Sequence, residues 1–454
     1  MFRVANVPSI NVESGVEKNS PVLYRRKVRA TEIVSSVVTV VRTFGLFPSC
    51  LNEAERTERE VEDGRDVRCH RIYHVLLFVY SLFTCGLCLT FAISGLFFIV
   101  LGKSNPADYN FTVFDIILLW QASFLSVHCL FIGNRLKTYL KSLDAYSISQ
   151  RNENLSKAEL TATVIAFANQ QSTNFRTSYG RTVELDDLHP RTDHIYKTSK
   201  KWCMLLSIVS CVTVLCVIVQ NIWSEMEDKQ YTSPLVSVAH YISKTGSSVT
   251  WKTFLSTIVS CLSLLYNVLP HALFVGCAIP LMAFIQNFND RAELSAQNTL
   301  NTDKVSEVHY KLRYLMRLLD DCFSSIIFTT IAGDFCQVVF GTFLELMDCS
   351  VEGMDAKCSR YFARHIMLIL RLCLTVGMCV SLQEKIQGLL PTMEEYSSKS
   401  LLNTEKLKLL TLIQSLPSCG ISASSFFLIT RGFAVKMAAA CLAYGVLIWK
   451  LSQR

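Results

Sequence analysis

The chain has little charge for its size. Charged residues make up 18% of its 454 positions against 50% hydrophobic ones, too few to coat the surface of a soluble protein this long. It lacks an early apolar segment: residues 1–70 are polar and carry both signs, so no signal peptide is expected and the first apolar span serves as its own insertion signal. It lacks the short alternating segments of a membrane β-barrel. It has no HExxH, no paired carboxylate motif and no inverted repeat of broken helices, which argues against an enzyme or a transporter. No Cys/His zinc spacing occurs among its 18 cysteines, so no metal or cofactor is expected. The net charge of +7 is spread along the chain and does not point to nucleic acid. Internal repeats, heptads and low-complexity tracts are not apparent, and segment 1–30 is read as disordered.

What is present is a series of apolar blocks, each long enough to cross a bilayer, which needs about 20 residues. Seven spans are predicted, at 72–101, 111–134, 202–222, 253–285, 323–347, 361–382 and 424–450. The fold class is therefore all-α: a polytopic membrane protein with seven transmembrane helices in a domain over 71–451, preceded by a cytoplasmic region, 1–70. Most cysteines, among them Cys85, Cys88, Cys211, Cys277 and Cys379, lie inside these blocks and act there as small apolar residues.

Lys and Arg set the orientation. Segment 1–71 holds twelve, 135–201 eleven, 286–322 five and 383–423 four, whereas the alternate loops hold Lys103, then Lys229, Lys244 and Lys252, then Lys357 and Arg360. The positive-inside rule places the N-terminus in the cytoplasm and the C-terminus outside. Cys349 and Cys358 flank a short loop assigned outside, where a disulfide can form. The Asn110 sequon is outside but close to the membrane; the Asn154 sequon is inside. Two cytoplasmic helices are predicted. Segment 303–322 has apolar residues at Val305, Val308, Leu312, Leu315, Leu318 and Leu319, which is helical spacing, and it runs into the fifth span. Segment 405–416 is a short amphipathic helix that Pro417 and Gly420 end before the last span.

The last span holds Arg431 and Lys436 in a membrane-length stretch, and charge in hydrocarbon is costly unless it meets water or a partner. Phe426, Phe427, Ile429 and Arg431 read F-F-x-I-x-R, and Ala443, Tyr444 and Lys450 follow at a fixed distance. This resembles the closing segment of the arthropod gustatory receptors, a chemoreceptor family related to the insect odorant receptors, in which F-F-x-I-x-R precedes T-Y-x5-Q-F. Tyr444 and the spacing match; Thr is replaced by Ala443, Gln by Lys450 and Phe by Leu451. Gly45 to Pro48 is similar to the family's G-x-F-P-like region, and the layout resembles the family over about 35–451. The resemblance implies a homo- or heterotetrameric, multi-pass plasma-membrane channel for cations. It would be opened by a small-molecule tastant in an outward-facing pocket among spans two to six, with the last helices around the pore.

Particular residues can then be weighed. In a cation pore a ring of Lys436 ammonium groups raises the barrier to cations; alternatively Lys436 faces a neighbouring helix or snorkels to water. Arg431, near the inner end, suits a structural ion pair or a headgroup contact. Ala440 and its alanine neighbours permit close helix approach. Asp334 and Arg371 fall near mid-membrane on antiparallel spans, where they can pair as a structural bridge or a ligand-coupled switch. Trp120, Gln121, Gln220, Thr257, Gln337, Phe340 and Tyr361 are the pocket candidates, since aromatic walls with a few polar groups build small-molecule sites; for each taken alone, helix packing or an interfacial aromatic belt is the stronger reading. His271 beside Pro270 reads as a packing residue at a kink. Two other functions stay open: a non-conducting scaffold or co-receptor of the same family, which Lys436 and Lys450 favour, and a metabotropic seven-helix receptor, which the charge counts oppose.

Overall fold

The computed structural model describes residues 66–101, 109–171, 197–202, 249–295, 302–347, 356–388 and 419–452, with scattered helical positions between 204 and 219. Six described helices and one small hairpin follow in order: α1 (Asp66–Val100), α2 (Tyr109–Gln171), α3 (Val249–Ser295), α4 (Thr302–Met347), α5 (Ala356–Gln387), β1 (Ser422–Ala423), β2 (Phe427–Leu428) and α6 (Arg431–Ser452). Five stretches are long and apolar enough to cross a membrane, at Phe78–Phe97, Asp115–Ser147, Thr257–Asn289, Glu307–Val339 and His365–Gln387. The predicted third span, 202–222, lies only partly among the described residues. There Trp202, Leu205, Val209, Val212, Leu215 and Val219 are exposed at helical spacing, an apolar stripe that suits lipid and not water.

α4 is the axis of the bundle. Among the described residues it touches α2, α3, α5, α6 and β1, while α1 packs mainly on α2 and α3 and α6 mainly on α4 and α5. The predicted helix at 303–322 and the fifth span form one unbroken rod of 46 residues, with Leu312, Leu315 and Leu319 buried in the core. α2 is far longer than its predicted span of 111–134: 63 residues, about 95 Å at ~1.5 Å per residue. A buried stripe runs Ala122, Leu125, Cys129, Ile132, Leu136, Tyr139, Leu143 and Tyr146, alternating steps of three and four, with Leu140 buried beside it. That is a heptad register, contrary to the sequence expectation. Mixed side-chain types and apolar neighbours on the lipid side conceal it.

α3 carries Pro270 and Pro280 inside the helix. Each proline removes the N–H that the carbonyl four residues earlier needs and opens the helix at that point. In both cases the next carbonyl is met by a side chain of another helix: Arg371 Nη1 donates to Asn267 O at 2.8 Å, and Tyr139 Oη donates to Cys277 O at 2.7 Å. Neighbouring helices thus hydrogen-bond to the backbone beside both prolines.

The predicted last span, 424–450, needs correction at its start. Residues 422–428 form the β1–β2 hairpin, and helix begins only at Arg431. Thr430 caps α6, its Oγ1 accepting from the Phe433 N–H at 3.2 Å. The hairpin turns through Ser424 and Ser425, both with positive φ (51° and 63°), the pair that a type I′ turn requires. Each such non-glycine residue costs roughly 1–2 kcal/mol. The surroundings compensate: Ile421, Ala423 and Ile429 are fully buried in the core, and Asp320 of α4 accepts from Ser422 N–H at 2.6 Å. The break is therefore a folded element, and the Phe-Phe pair belongs to it and not to the helix. Segment 405–416 lies outside the described residues, as do residues 1–65.

Candidate functional site

Polar side chains from four helices converge inside the bundle. Thr330, Asp334 and Gln337 recur at i, i+4 and i+7 on one face of α4, which is helical spacing. Opposite them stand Gln121 of α2, Asn267 and His271 of α3, and Arg371 and Thr375 of α5. All but Arg371 are buried, and Thr330, Asp334 and Gln337 have no exposed surface; Arg371 keeps 11% of its side chain exposed. So many polar groups in apolar surroundings are tolerable only if they satisfy each other.

They largely do. The Arg371 guanidinium grips Asp334 as a fork, with Nε donating to Oδ2 at 2.8 Å and Nη2 to Oδ1, the strongest geometry available to such a pair. Its remaining nitrogen, Nη1, reaches the Asn267 carbonyl, three residues before Pro270. Asp334 Oδ1 also accepts from Gln121 Nε2 at 2.7 Å, and Gln121 Oε1 accepts from Gln337 Nε2. The chain thus runs Arg371, Asp334, Gln121, Gln337 across α5, α4, α2 and back to α4.

A second arm passes through His271. Its Nε2 lies 3.0 Å from Thr330 Oγ1 and its Nδ1 lies 3.1 Å from Thr375 Oγ1. Thr375 directs its one proton to the Arg371 carbonyl at 2.9 Å. With that proton used, Nδ1 is placed to donate to Thr375, and Nε2 faces the Thr330 hydroxyl. Asn267 donates to Ser263 O at 2.7 Å and to Leu118 O at 3.3 Å. Two buried oxygens of the cluster, Asn267 Oδ1 and Gln337 Oε1, have no partner among the described residues. Each is an acceptor that an incoming donor would satisfy.

Gly333 makes the contact between α2 and α4 fit. A Cβ there would stand 2.5 Å from Gln121 Cδ and 2.8 Å from its Nε2, so only glycine leaves room for the amide to lie across α4 and reach Asp334.

Of the residues read from the sequence, Gln121, Gln337, Asp334 and Arg371 are brought together. Trp120, adjacent to Gln121, points away: it stacks on Phe124 with ring centroids 5.9 Å apart and packs against the small cluster of Phe91, Ala92, Leu119 and Val259. Thr257 is half-buried near the start of α3. Gln220 and Cys349 lie outside the described residues, as do the side chains of Phe340, Tyr361 and Cys358. His271 is more than kink packing, because it joins Thr330 to Thr375. Asn267, Thr330 and Thr375 were missed; an i, i+4 recurrence of polar residues within apolar spans is the signal that finds them. Among the described residues no three His, Cys, Asp or Glu side chains gather as a metal site would require.

The terminal helix stands apart from this cluster. Arg431 is exposed at its start, with Nη1 4.0 Å from Glu384 Oε1, too open to contribute much. Lys436, Ala443 and Lys450 are exposed, and Ala440 is half-exposed. Tyr444 sets its ring edge-on to Phe335 at 6.3 Å. Val435, Leu442, Val446 and Leu447 are also exposed, an apolar face suited to lipid or to another subunit.

No family model matches the chain, and no curated protein matches it in sequence. Its fold, in contrast, is similar to solved structures. The insect olfactory receptor OR5 from Machilis hrabei superposes with a TM-score of 0.63 at 12% identity, over 92% of this chain and 97% of that one. The same receptor in complex with eugenol superposes with a TM-score of 0.62, at the same identity and coverage. At that identity the likeness is one of fold, and it extends over nearly the full length of both chains. The chain is therefore an all-α polytopic membrane protein with the fold of an insect olfactory receptor.

Proposed function

We propose that the chain is a gustatory-receptor-like chemoreceptor: a subunit of a ligand-gated, non-selective cation channel in the plasma membrane. In this reading four copies, alike or related, surround a pore lined by α6. A small molecule opens it from a pocket among the second to sixth spans, and the N-terminus is cytoplasmic. The observation that carries the reading is the likeness to OR5 over 92% of the chain, joined to the F-F-x-I-x-R segment and Tyr444 in the closing region. OR5 is described with eugenol bound. For this chain the buried cluster supports a ligand that brings hydrogen-bond donors, because the two open atoms, Asn267 Oδ1 and Gln337 Oε1, are acceptors.

The test is expression of the chain alone, confirmation of tetramers at the cell surface, and whole-cell recording against a panel of tastants. A ligand-evoked cation current is expected, and Lys436→Gln should increase it if four ammonium groups line the pore. Surface tetramers that stay silent to every compound, with and without that substitution, would refute conduction. The second reading, a non-conducting scaffold or co-receptor, is favoured by one observation: Lys436 is exposed on α6 with no acidic partner among the described residues.

A further inference from the structure

The hairpin before α6 is held in place by a small number of named contacts on α4. Asp320 accepts from Ser422 N–H at 2.6 Å, and its two oxygens each lie 2.9 Å from Ser422 Oγ. Ser422 Oγ in turn accepts from the Ser425 N–H at 3.3 Å. Ser424 N–H donates to the Ser324 carbonyl of α4 at 3.1 Å. One carboxylate and one helical carbonyl thus fix both serines whose φ is positive. A conformation of this kind persists where its surroundings over-determine it. The tip is tied to α4 by one ring contact, Phe426 on Phe328 with centroids 5.5 Å apart; Ser425 is exposed and Phe426 is 76% exposed, so the turn still has room to relax.

The positions on α4 matter as much as the contacts. Asp320, Ser324, Ile327, Ile331 and Asp334 are spaced by four, three, four and three residues, which puts them on one stripe of the helix. One end of that stripe carries the hairpin and the other carries the buried cluster around Asp334 and Arg371. About four helical turns, roughly 21 Å, separate Asp320 from Asp334. A single unbroken helix therefore carries both the polar cluster and the clamp on the segment that leads into α6.

We propose that the contact of Asp320 with the β1–β2 hairpin is a releasable latch. It holds the start of α6 against α4, and the two left-handed serines oppose it. Weakening the clamp releases α6; easing the turn secures it. The inference extends the reading of α6 as a pore helix, and its test does not require conduction.

The experiment is hydrogen–deuterium exchange on the purified full-length protein in nanodiscs, following peptides over 419–430 and over the first turns of α6. Ser422→Ala removes the hydroxyl that joins Asp320 to Ser425, and Asp320→Asn weakens the acceptor. Either should speed exchange about tenfold in the hairpin and also in 431–437, since the lost bonds are local closing contacts. Ser425→Gly removes the steric cost of the positive φ and should slow exchange in both segments. Ser422→Ala is the milder change and serves if Asp320→Asn does not fold. The latch is overturned if the hairpin loosens while α6 exchanges as before, or if Ser425→Gly loosens the hairpin as Ser422→Ala does. A chain that shows opposite shifts but passes no current keeps the latch and refutes the channel reading.

Discussion

Replacing Gly333 by alanine tests the buried cluster at its narrowest point. The new Cβ would lie 2.5 Å from Gln121 Cδ, 2.8 Å from Nε2 and 2.9 Å from Cγ, well inside van der Waals contact. Both partners sit on packed helices, so the side chain of Gln121 must move and not the backbone. It then loses its bond to Asp334 Oδ1, and Gln337 loses its acceptor. A hydrogen bond to a charged group contributes about 1.5–3 kcal/mol. Alanine returns at most about 1 kcal/mol through its better helix propensity. The expected net loss is about 1–2 kcal/mol. It is read as a lower unfolding temperature of the solubilised protein by fluorescence-detected size exclusion. The decisive comparison is the same substitution in a Gln121→Ala background, where the obstacle is gone and Gly333→Ala should be neutral or stabilising. Gly377 has open space around its missing Cβ, and Gly377→Ala is the control expected to cost nothing. An equal loss in both backgrounds would refute the account of Gly333.

Three further outcomes are expected. Removing one partner of the buried bridge, by Asp334→Leu or Arg371→Met, should destabilise by about 3–5 kcal/mol, and the double substitution should recover much of that loss, because an unpaired buried charge is worse than none; additive losses in a thermal assay would count against this. Tyr139→Phe removes the donor to Cys277 O beside the Pro280 kink and should cost about 1 kcal/mol, measurable as a lower melting temperature with expression unchanged. Burial pushes the Cys419 thiol above its ordinary range, while the guanidinium groups of Arg313 and Arg317 pull it down less strongly. Little thiolate is then present at neutral pH, so alkylation should be slow and should quicken only as pH rises well above that of a free cysteine; Arg313→Leu should slow it further, and fast labelling at pH 7 would contradict the stated environment.

Much of the bundle was legible from composition and periodicity. Apolar length alone marks the five stretches long and apolar enough to cross a membrane, and Val308, Leu312, Leu315 and Leu319 mark the helix that precedes the fifth predicted span. Counting from the span ends also set Asp334 and Arg371 at matching depth. What stayed hidden has physical causes. The heptad register of α2 is masked over 122–132 because lipid accepts Phe124, Val127 and Phe131 on the outer face as readily as the core accepts its own residues, so inside and outside there do not differ in hydrophobicity. The hairpin was read as the start of a helix because Ser-Ser-Phe-Phe is apolar enough for a span. The left-handed turn is carried by serines where glycine or asparagine would have announced it. Trp120 and Gln121 looked alike as pocket candidates, yet neighbouring residues on a helix point about 100° apart, and only the packing of α4 reveals which one joins Asp334.

The bridge between Asp334 and Arg371 also has a history within each molecule. Arg371 is made 37 residues after Asp334, about 2–7 seconds later at ~5–20 residues per second. During that interval α4 carries a carboxylate whose fork partner does not yet exist. An acidic residue entering the bilayer costs up to about 2.5–3.5 kcal/mol to insert. Gln121, already synthesised on α2, is the group able to receive Asp334 first. The order of synthesis thus makes α2 and α4 partners before α5 arrives, and chains truncated between 340 and 370 should integrate less completely when Gln121 is replaced by leucine, as glycosylation mapping would record.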